Sequence, residues 1–446
     1  MSHYKPYPAY KDSGVEWIGK VPEHWDVKPI KVIASCNDDS LPDSLSPDTP
    51  IRYVDISAVS HDEGIAEAAP MQFGDAPSRA RRKAMVGDVV ISTVRTYLKA
   101  VASVDEAHAD CVYSTGFAVL RPRRDHLRPE FLKWLALNEL LIQAVESHSE
   151  GLSYPAINAS ELINLKTVVP GSTEQARIAS ILNRETARID ALIERKTRFI
   201  ELLKEKRQAL ITHAVTKGLD QSVKMKDSGV EWIGEVPEHW EVKRLRHVAR
   251  FTNSNVDKRS YEGQQAVKLC NYTDVYYNEF ITASLPFMDA TASDAEIKAF
   301  ELKKGDVLIT KDSEDPSDIG IPALVADDLP GVICGYHLTV IRTHGPDDSG
   351  FVHRSIQSHP TKAHFFVESP GITRYGLSQD AIGDITVCWP TASERVQIAA
   401  WIDRETSRID ALIAKSQRSI DLIKERRSAL ITSAVTGKID LRVDIQ

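Results

Sequence analysis

The chain has 446 residues, of which 42% are hydrophobic, with a formal net charge of −8 and five cysteines. It has no run of roughly 18 or more apolar residues, which excludes an ordinary membrane-spanning helix, and its N-terminus lacks an apolar signal core. We therefore expect a cytoplasmic protein with reduced thiols and two or three hydrophobic cores.

The first element is a segment that occurs twice. Residues 11–28 read KDSGVEWIGKVPEHWDVK and recur, with two differences, as residues 226–243. Residues 14–20 imitate a phosphate-binding P-loop, but Val21 stands where Ser or Thr should hold magnesium, and the second copy has Glu235 in place of the lysine. We therefore expect the tryptophans of this leading segment to pack on a domain core instead: Trp17, Trp25, Trp232 and Trp240.

The interiors that follow have diverged but keep matching landmarks. A glycine turn leads into a β-branched strand in both copies, GDVVIS at Gly87–Ser92 and GDVLIT at Gly305–Thr310. A second strand broken by glycine, a Gly-rich loop and a short strand ending in proline follow in the same order. Leu127–Ser147 has the apolar pattern of a helix. Each copy therefore predicts a mixed α/β or α+β domain.

A long helix closes each copy. Neither Ser172–Lys217 nor Thr391–Thr436 contains proline or glycine, and RETARIDALI at 184–193 returns as RETSRIDALI at 404–413. The apolar residues alternate four- and three-residue spacing, the coiled-coil period. The residues predicted to pair the helices are Ile189, Ile193, Ile200, Leu203 and Leu210, with Ile409, Ile413, Ile420, Ile423 and Leu430. Ser172 with Gln175, and Thr391 with Glu394, have capping-box spacing at the helix starts.

These repeats predict a tandem duplication. The expected segments are a first domain at 1–171, a helix at 172–220, a second domain at 221–391 and a final helix at 392–446. The expected fold is two α/β (α+β) domains in tandem duplicate, joined by two long antiparallel coiled-coil helices with pseudo-two-fold symmetry. The leading segments and long helices of the two copies agree, while the domain interiors differ. We therefore expect two similar domains that bind two different targets.

No catalytic or metal site is predicted. His353, His359 and His364 do not have zinc-ligand spacing, and the carboxylates of Asp312–Asp318 are typical of a solvated loop. Asp306 and Lys311 loosely imitate a nuclease pair, although the first copy offers only Asp88 as an equivalent.

The duplicated motifs resemble those of specificity subunits of bacterial type I restriction–modification systems. The resemblance rests on GVEWIG-x-VPEHW, the GDVVIS and GDVLIT strands, Pro170 and Pro390, and the helix openings EQARIASIL and ERVQIAAWI, with the RIDALI repeats. These motifs span essentially the whole chain.

The resemblance implies a non-catalytic, DNA-binding subunit for host defence. Each domain would be a target recognition domain that reads one half of a bipartite double-stranded DNA sequence. The helices would set the spacing and dock two methylation subunits, through which restriction (motor) subunits join. The chain would bind no cofactor itself, whereas its partners would use S-adenosylmethionine, ATP and magnesium.

The expected DNA contacts lie on loops and on one basic patch. Loops after the GDV strands and in the Gly-rich segments can reach base edges, and the basic patch suits phosphates. The candidates are Arg79, Arg81, Arg82 and Lys83 in the patch; Thr93, Val94, Arg95, Thr96, Tyr97, Ser153 and Tyr154 in the first copy; and Lys311, Asp312, Ser313, Thr373, Arg374 and Tyr375 in the second.

A different class of function also fits the duplication. A DNA-free scaffold could hold two partner subunits through the helical pair, and the acidic net charge favours it. The divergence of the domain interiors argues against a scaffold, because a support for two identical partners gains nothing from different loops.

Overall fold

The computed structural model describes residues 5–42 and 44–442. The chain divides into two compact units, unit 1 with Met1–Lys196 and Arg418–Gln446, and unit 2 with Thr197–Gln417. This division passes through both long helices, so each unit contains one domain and a piece of each helix. None of the helices in the described ranges is long and apolar enough to cross a membrane.

In the described part of the first half, the chain forms fourteen strands and five α-helices. The strands are β1 Tyr10–Asp12, β2 Lys20–Pro22, β3 Asp26–Pro29, β4 Ala34–Cys36, β5 Pro50–Val54, β6 Val59–Ser60, β7 Gly64–Ile65, β8 Ala69–Gln72, β9 Ala80–Lys83, β10 Val89–Ser92, β11 Val101–Ser103, β12 Val112–Ser114, β13 Phe117–Pro122 and β14 Lys166–Val169. The helices are α1 Ile30–Ile33, α2 Pro129–Ala136, α3 Glu139–Ser147, α4 Ala159–Leu162 and α5 Ser172–Lys217.

The described part of the second half has a similar series, with fourteen strands and six α-helices. Its strands are β15 Met225–Asp227, β16 Glu235–Pro237, β17 Glu241–Arg244, β18 Ala249–Asn253, β19 Gln265–Cys270, β20 Phe280–Ile281, β21 Met288–Ala292, β22 Val307–Thr310, β23 Asp312–Ser313, β24 Pro322–Val325, β25 Val332–Cys334, β26 Leu338–Thr343, β27 Tyr375–Gly376 and β28 Thr386–Trp389. Its helices are α6 Tyr272–Tyr277, α7 Asp294–Phe300, α8 Ser349–Ile356, α9 His359–Glu368, α10 Gln379–Gly383 and α11 Ala392–Val435.

The sheets of the two units have a common core and differ at their edges. The main sheet has the order β11-β10-β13-β4 in unit 1 and β18-β26-β22-β24-β20 in unit 2, so β10 and β22 hold equivalent inner positions. A second sheet contains a parallel pair in both units, β5 with β12 and β19 with β25. In both units, the strand after the leading segment pairs antiparallel with the strand before the long helix. The predicted mixed α/β domains in tandem duplicate are confirmed.

The pieces of the two long helices in each unit run antiparallel. In unit 1, Leu182 shares a core with Ile431 and Val435, and farther along α5, Asp190 bonds Arg427, 2.9 Å away. In unit 2, Arg207 bonds Asp410 at 3.0 Å. This is the equivalent pair, because Asp410 lies 220 positions after Asp190 and Arg207 lies 220 positions before Arg427. The leading segments contribute to these cores through Trp25 and Trp240, both almost fully buried.

Three local expectations are corrected. Leu127–Ser147 is two helices, α2 and α3, because the Asn138 side chain accepts the Leu140 N–H and starts a new helix. Trp232 is 58% exposed and does not pack in a core. The capping box is present at Thr391 and Glu394 but not at Ser172, since the Gln175 side chain bonds Pro170 O and the Arg128 N–H instead.

Candidate nucleic-acid interface

The loop after β10 and the Gly-rich loop of unit 1 meet in space. Val94 forms a β-bridge with Ala156, and the Arg95 guanidinium lies over the Tyr154 ring, 5.0 Å from its centroid. Ser153 and Tyr154 are both exposed. The structure therefore brings Arg95, Ser153 and Tyr154 together on one exposed surface.

Two left-handed residues shape the loop after β10. Arg95 and Lys99 have φ angles of 51° and 50°, and they flank a single 3₁₀ turn, Thr96–Leu98. Non-glycine residues rarely adopt this conformation, and it is concentrated at functional sites. The loop is held from below, because the Thr93 hydroxyl donates to Gly116 O and the Thr96 hydroxyl to Ser149 Oγ, both over 2.9 Å. These hydrogen bonds hold the loop backbone in place, and the Arg95 side chain is exposed to solvent.

The four basic residues of β9 and its approach do not form one uniform patch. Arg79 is already bound to the Asp55 carboxylate at 2.9 Å, which holds its pKa above the usual value. Arg81 lies over the Phe73 ring at 4.7 Å. Arg82 has its Nε buried without a hydrogen-bond partner among the described residues. Lys83 is exposed, so each cation of the predicted phosphate site has a different environment.

Tyr97 faces a different surface from Arg95. It is 53% exposed and lines a cleft of about 910 Å³ between the first domain and the helix pieces of unit 1. The same cleft is lined by six carboxylates, Asp62, Glu63, Glu139, Asp190, Glu194 and Glu425, and by three cations, Lys99, Lys424 and Arg427. Each cation pairs with one of these carboxylates, so negative charge remains in excess, and such an excess repels phosphate. Tyr97 is therefore less suited to a phosphate contact than Arg95.

In unit 2 the two predicted loops are joined by a small sheet. Asp312 and Ser313 of β23 pair antiparallel with Gly376 and Tyr375 of β27. The neighbouring residues Lys311, Thr373 and Arg374 flank this ladder, and the last two are exposed. The equivalent loops thus meet in both units, through a bridge in unit 1 and through a ladder in unit 2.

Sequence reasoning missed two residues at the centre of the unit 2 surface. Tyr336 and His337 form the turn between β25 and β26. The Lys311 ammonium lies 4.8 Å from the Tyr336 ring centroid, and an Arg374 nitrogen lies 3.2 Å from His337 Nδ1. His337 Nδ1 also hydrogen-bonds the Asp312 carboxylate at 2.6 Å. The signal was available, because this turn carries Tyr-His where the first copy has only Thr115-Gly116.

A tyrosine cluster on α6 also escaped the sequence analysis. Tyr272 and Tyr276 stack with centroids 5.6 Å apart, and the Tyr276 hydroxyl donates to Asp318. Tyr277 packs edge-on against Tyr276 and remains 77% exposed. Burial raises the pKa of Tyr272, which also hydrogen-bonds Ser313. Exposed aromatic rings can stack on bases or pack against sugars.

The groups that imitated catalytic sites have structural partners. Asp88 and Asp306 are buried equivalents at the start of β10 and β22, and each binds an arginine, Arg121 and Arg342, at 2.9 Å. Lys311 follows the other end of β22, so Asp306 and Lys311 cannot act as a pair. No group of three or more His, Cys, Asp or Glu residues that could hold a metal ion occurs in 5–42 and 44–442.

The loop with P-loop spacing surrounds a cation. Lys438 Nζ donates to Ile18 O and Lys20 O, at 3.1 and 2.6 Å. Lys217 makes the equivalent contacts with Ile233 O and Glu235 O in unit 2. A phosphate needs converging N–H groups, whereas here carbonyl oxygens converge on a lysine ammonium. The loop therefore binds a lysine at the end of a long helix rather than a phosphate.

The residues predicted to pair the helices are all shielded from solvent to some degree. Ile200, Leu203, Ile409, Ile420 and Leu430 are buried, and Ile189, Ile193, Leu210, Ile413 and Ile423 are half-buried. Leucines on other faces of the same helices remain exposed, at 43% for Leu192 and 47% for its equivalent Leu412.

Comparison with known proteins gives one curated relative and several solved structures. The MjaX protein of Methanocaldococcus jannaschii, which carries the name of a type I restriction enzyme specificity subunit, is 25% identical over 241 residues. The match covers 52% of this chain and 55% of the relative, so it spans about half the length of each. No protein-family model matches the chain.

Two solved structures share the fold over nearly the whole chain. The first comes from a study of complex assembly and conformational transition of the type I R-M system, with a TM-score of 0.69 and 20% identity, covering 94% of this chain and 99% of that one. The second is the HsdS subunit from Thermoanaerobacter tengcongensis, with a TM-score of 0.50 and 20% identity, covering 94% and 98%.

The duplicated domains and the two long helices form a fold that this chain shares with these two solved structures. The resemblance of this chain to the specificity subunits of those systems, first seen in its repeated motifs, is confirmed by the curated relative and by the shared fold.

Proposed function

We propose that this chain is the non-catalytic specificity subunit of a type I restriction–modification complex. Each recognition domain reads one half of a bipartite double-stranded DNA target, and the helices set the distance between the halves. Two methylation subunits dock around the helices and bring S-adenosylmethionine and adenine methylation, while restriction subunits bring ATP, magnesium and cleavage. The chain itself holds none of these cofactors.

One observation carries this proposal: in both units, two separate loops converge into an exposed surface of cations and aromatic rings. Arg95 with Tyr154 forms it in unit 1, and Lys311 and Arg374 around Tyr336 and His337 form it in unit 2. Arginine and lysine can donate to guanine edges and to phosphates, and aromatic rings contact bases and sugars. The surfaces occupy equivalent places but differ in residues, as the readers of two different half-sites should.

The fold gives independent support through the helices. Reading two half-sites needs two modules at a fixed separation and a fixed rotation about the duplex, because about 10.5 base pairs complete one turn. The helix α5 has 46 residues and α11 has 44, and paired helices of this length are stiff enough for such a spacer.

The test is to co-express the chain with its methylation subunit and map methylated adenines across a genome. The expected result is a bipartite motif with a fixed gap. Arg95→Ala and Arg374→Ala should each degrade one half of that motif. If both variants left the methylated motif intact, the DNA-free scaffold would be the better explanation; a contiguous motif would contradict bipartite reading.

A further inference from the structure

A second cleft in unit 1 lies at the end of β10 away from the DNA-reading loops. It has a volume of about 540 Å³, and its lining includes Arg124, Arg128 and Lys133, with Glu130 and Asn183. The cleft also reaches Gly87, which precedes β10, whereas Thr93 follows β10. Four strand residues separate these ends, or roughly 13 Å at 3.3 Å each. We call this site the basic cleft.

The cations of the basic cleft lack adequate counter-charges. Lys133 is half-buried with its ammonium 4.8 Å from the Trp134 ring centroid, and neither Lys133 nor Arg124 forms an ion pair within the described part of the chain. Burial, together with the Arg427 charge, lowers the pKa of Lys133, while the charges of Asp190 and Asp105 partly oppose this shift. Arg128 has two long contacts, 3.6 Å to Glu130 and 3.5 Å to the Ser172 hydroxyl. A half-buried ammonium is costly unless an anion joins it.

The second copy carries different charged residues at the equivalent positions. Arg128 and Asn183 correspond to Asp348 and Asp403 in the second copy, 220 positions later. In unit 2 both of these carboxylates are used internally: Asp348 binds Arg395 at 2.7 Å, and Asp403 binds the buried Arg354 at 2.6 Å.

Unit 1 has replaced both carboxylates and also both arginines that they bind, and its positive charge comes instead from Arg124, Arg128 and Lys133. Gln175 stands in place of Arg395, and Trp134 in place of Arg354. The Trp134 Nε1–H donates to Asn183 Oδ1 at 3.1 Å, so the side chain at this position forms its hydrogen bond with a neutral group rather than with a carboxylate. At this place, unit 2 therefore pairs its charged side chains with one another, whereas unit 1 has an excess of positive charge facing the cleft.

We propose that the basic cleft binds a carboxylate-bearing segment of a protein partner. The cleft is lined by three cations and by one carboxylate, the exposed Glu130, so a further carboxylate would complement its charge. Val86 lines the cleft, and Val86 and its chain neighbour Met85 are 52% and 56% exposed. An acidic protein segment with apolar neighbours would cover both the cations and these side chains. Such a segment would dock once per chain, because unit 2 has no open equivalent.

The test uses the complex of this chain with its methylation and restriction subunits, so the choice of complex rests on the proposed function. A carbodiimide joins an ammonium to a carboxylate only when the two are in direct contact. Mass spectrometry should find Lys133 linked to an Asp or Glu of another subunit. Lys133→Arg preserves the charge of the cleft and should abolish this cross-link without loss of assembly.

Charge reversal gives a second readout. Lys133→Glu together with Arg124→Glu should weaken the same partner at least tenfold, whereas Lys166→Glu, at an exposed site of the same unit, should not. Links from Lys133 only to its own chain would overturn the proposal. Protection of Lys133 from acetylation by DNA alone would also overturn it, because the cleft would then be a phosphate site. Adenine methylation, measured in parallel, reports separately on the proposed function.

Discussion

Arg374 illustrates how neighbouring groups restrict the side chain of an exposed arginine in this chain. Its guanidinium contacts the His337 ring, and His337 is in turn hydrogen-bonded to Asp312. His337 has a φ of 73°, a conformation that side chains other than glycine rarely adopt. His337 therefore adopts an unfavourable backbone conformation that places its imidazole beside the exposed Arg374. This contact limits the directions in which the Arg374 side chain can point.

We predict that Arg374→Ala weakens recognition by about 1–3 kcal/mol and relaxes specificity at one position of the second half-site, as expected for loss of a bidentate base contact. Competition binding with a set of single-base variants measures both effects. Arg250→Ala, an exposed arginine of β18 in the same unit, is the control and should change neither. Uniformly weaker binding with unchanged preference would assign Arg374 to phosphate instead.

His353 should make unit 2 sensitive to mild acid. Burial, with help from the neighbouring Arg354 charge, lowers the pKa of His353 from 6.5 to about 3. In the unfolded chain the imidazole binds a proton below pH 6.5, whereas in the folded unit it stays neutral until about pH 3. Stability is therefore lost as pH falls through 6.5 towards 3, by about 1.4 kcal/mol per pH unit in that window.

The measurement is hydrogen exchange of α8 between pH 6.5 and 5, above the range in which most carboxylates titrate. His353→Gln should remove most of the pH dependence of protection, and His359→Gln, at an exposed position of α9, should leave it unchanged. An equally steep loss of protection in His353→Gln would show that another group is responsible.

At the scale of elements, the long helices combine two kinds of contact. Their inner faces carry the apolar residues with coiled-coil spacing, and the equivalent ion pairs Asp190–Arg427 and Arg207–Asp410 lie along the same pair of helices. Each pair has one half-exposed partner, so it contributes little net stability. Such pairs instead favour one register over a shifted one. A fixed register gives the helix pair a fixed length, which a spacer between two half-sites requires.

We predict that four residues inserted after Lys196, where the compact units divide within α5, lengthen the gap in the DNA target. Four residues add ~6 Å and rotate the apolar face by only about 40°. The helices should still pair, and each half-site should still be read. The gap should grow by roughly one or two base pairs at ~3.4 Å each, as seen in methylation maps.

A two-residue insertion at the same place is the matched control. It rotates the apolar face by about 200° and should abolish assembly. If the four-residue insertion preserved activity with an unaltered gap, the spacing would have to come from the partner subunits rather than from the helices.

At the scale of the whole molecule, the duplication predicts independent reading by the two domains. Replacement of residues 1–171 with the equivalent segment of a relative should change one half of the methylated motif and leave the other half and the gap unchanged. The physical reason is that the contacts forming each recognition surface lie within one unit. A change in both halves would contradict modular reading, and the reciprocal replacement of residues 221–391 is the control.

The sequence by itself determined the duplicated architecture and located the loops that are candidates for DNA contact. Helix period, the proline- and glycine-free runs and the β-branched strands are local signals, which survive in any tertiary context that buries the apolar face. The GDV strands and the Gly-rich loops are equally local, so Arg95, Tyr154, Lys311 and Arg374 could be selected as candidates without knowledge of their neighbours.

Only the tertiary structure decided which of these residues meet and which are already occupied. Arg79 is bound to Asp55, Tyr97 faces carboxylates, and Tyr336 and His337 join the second surface from a distant turn. These outcomes depend on contacts between residues far apart in the chain, and no spacing rule encodes them. The basic cleft is the clearest case, since its open charge appears only when Arg128 and Lys133 are seen beside Asn183, across more than one element of the fold.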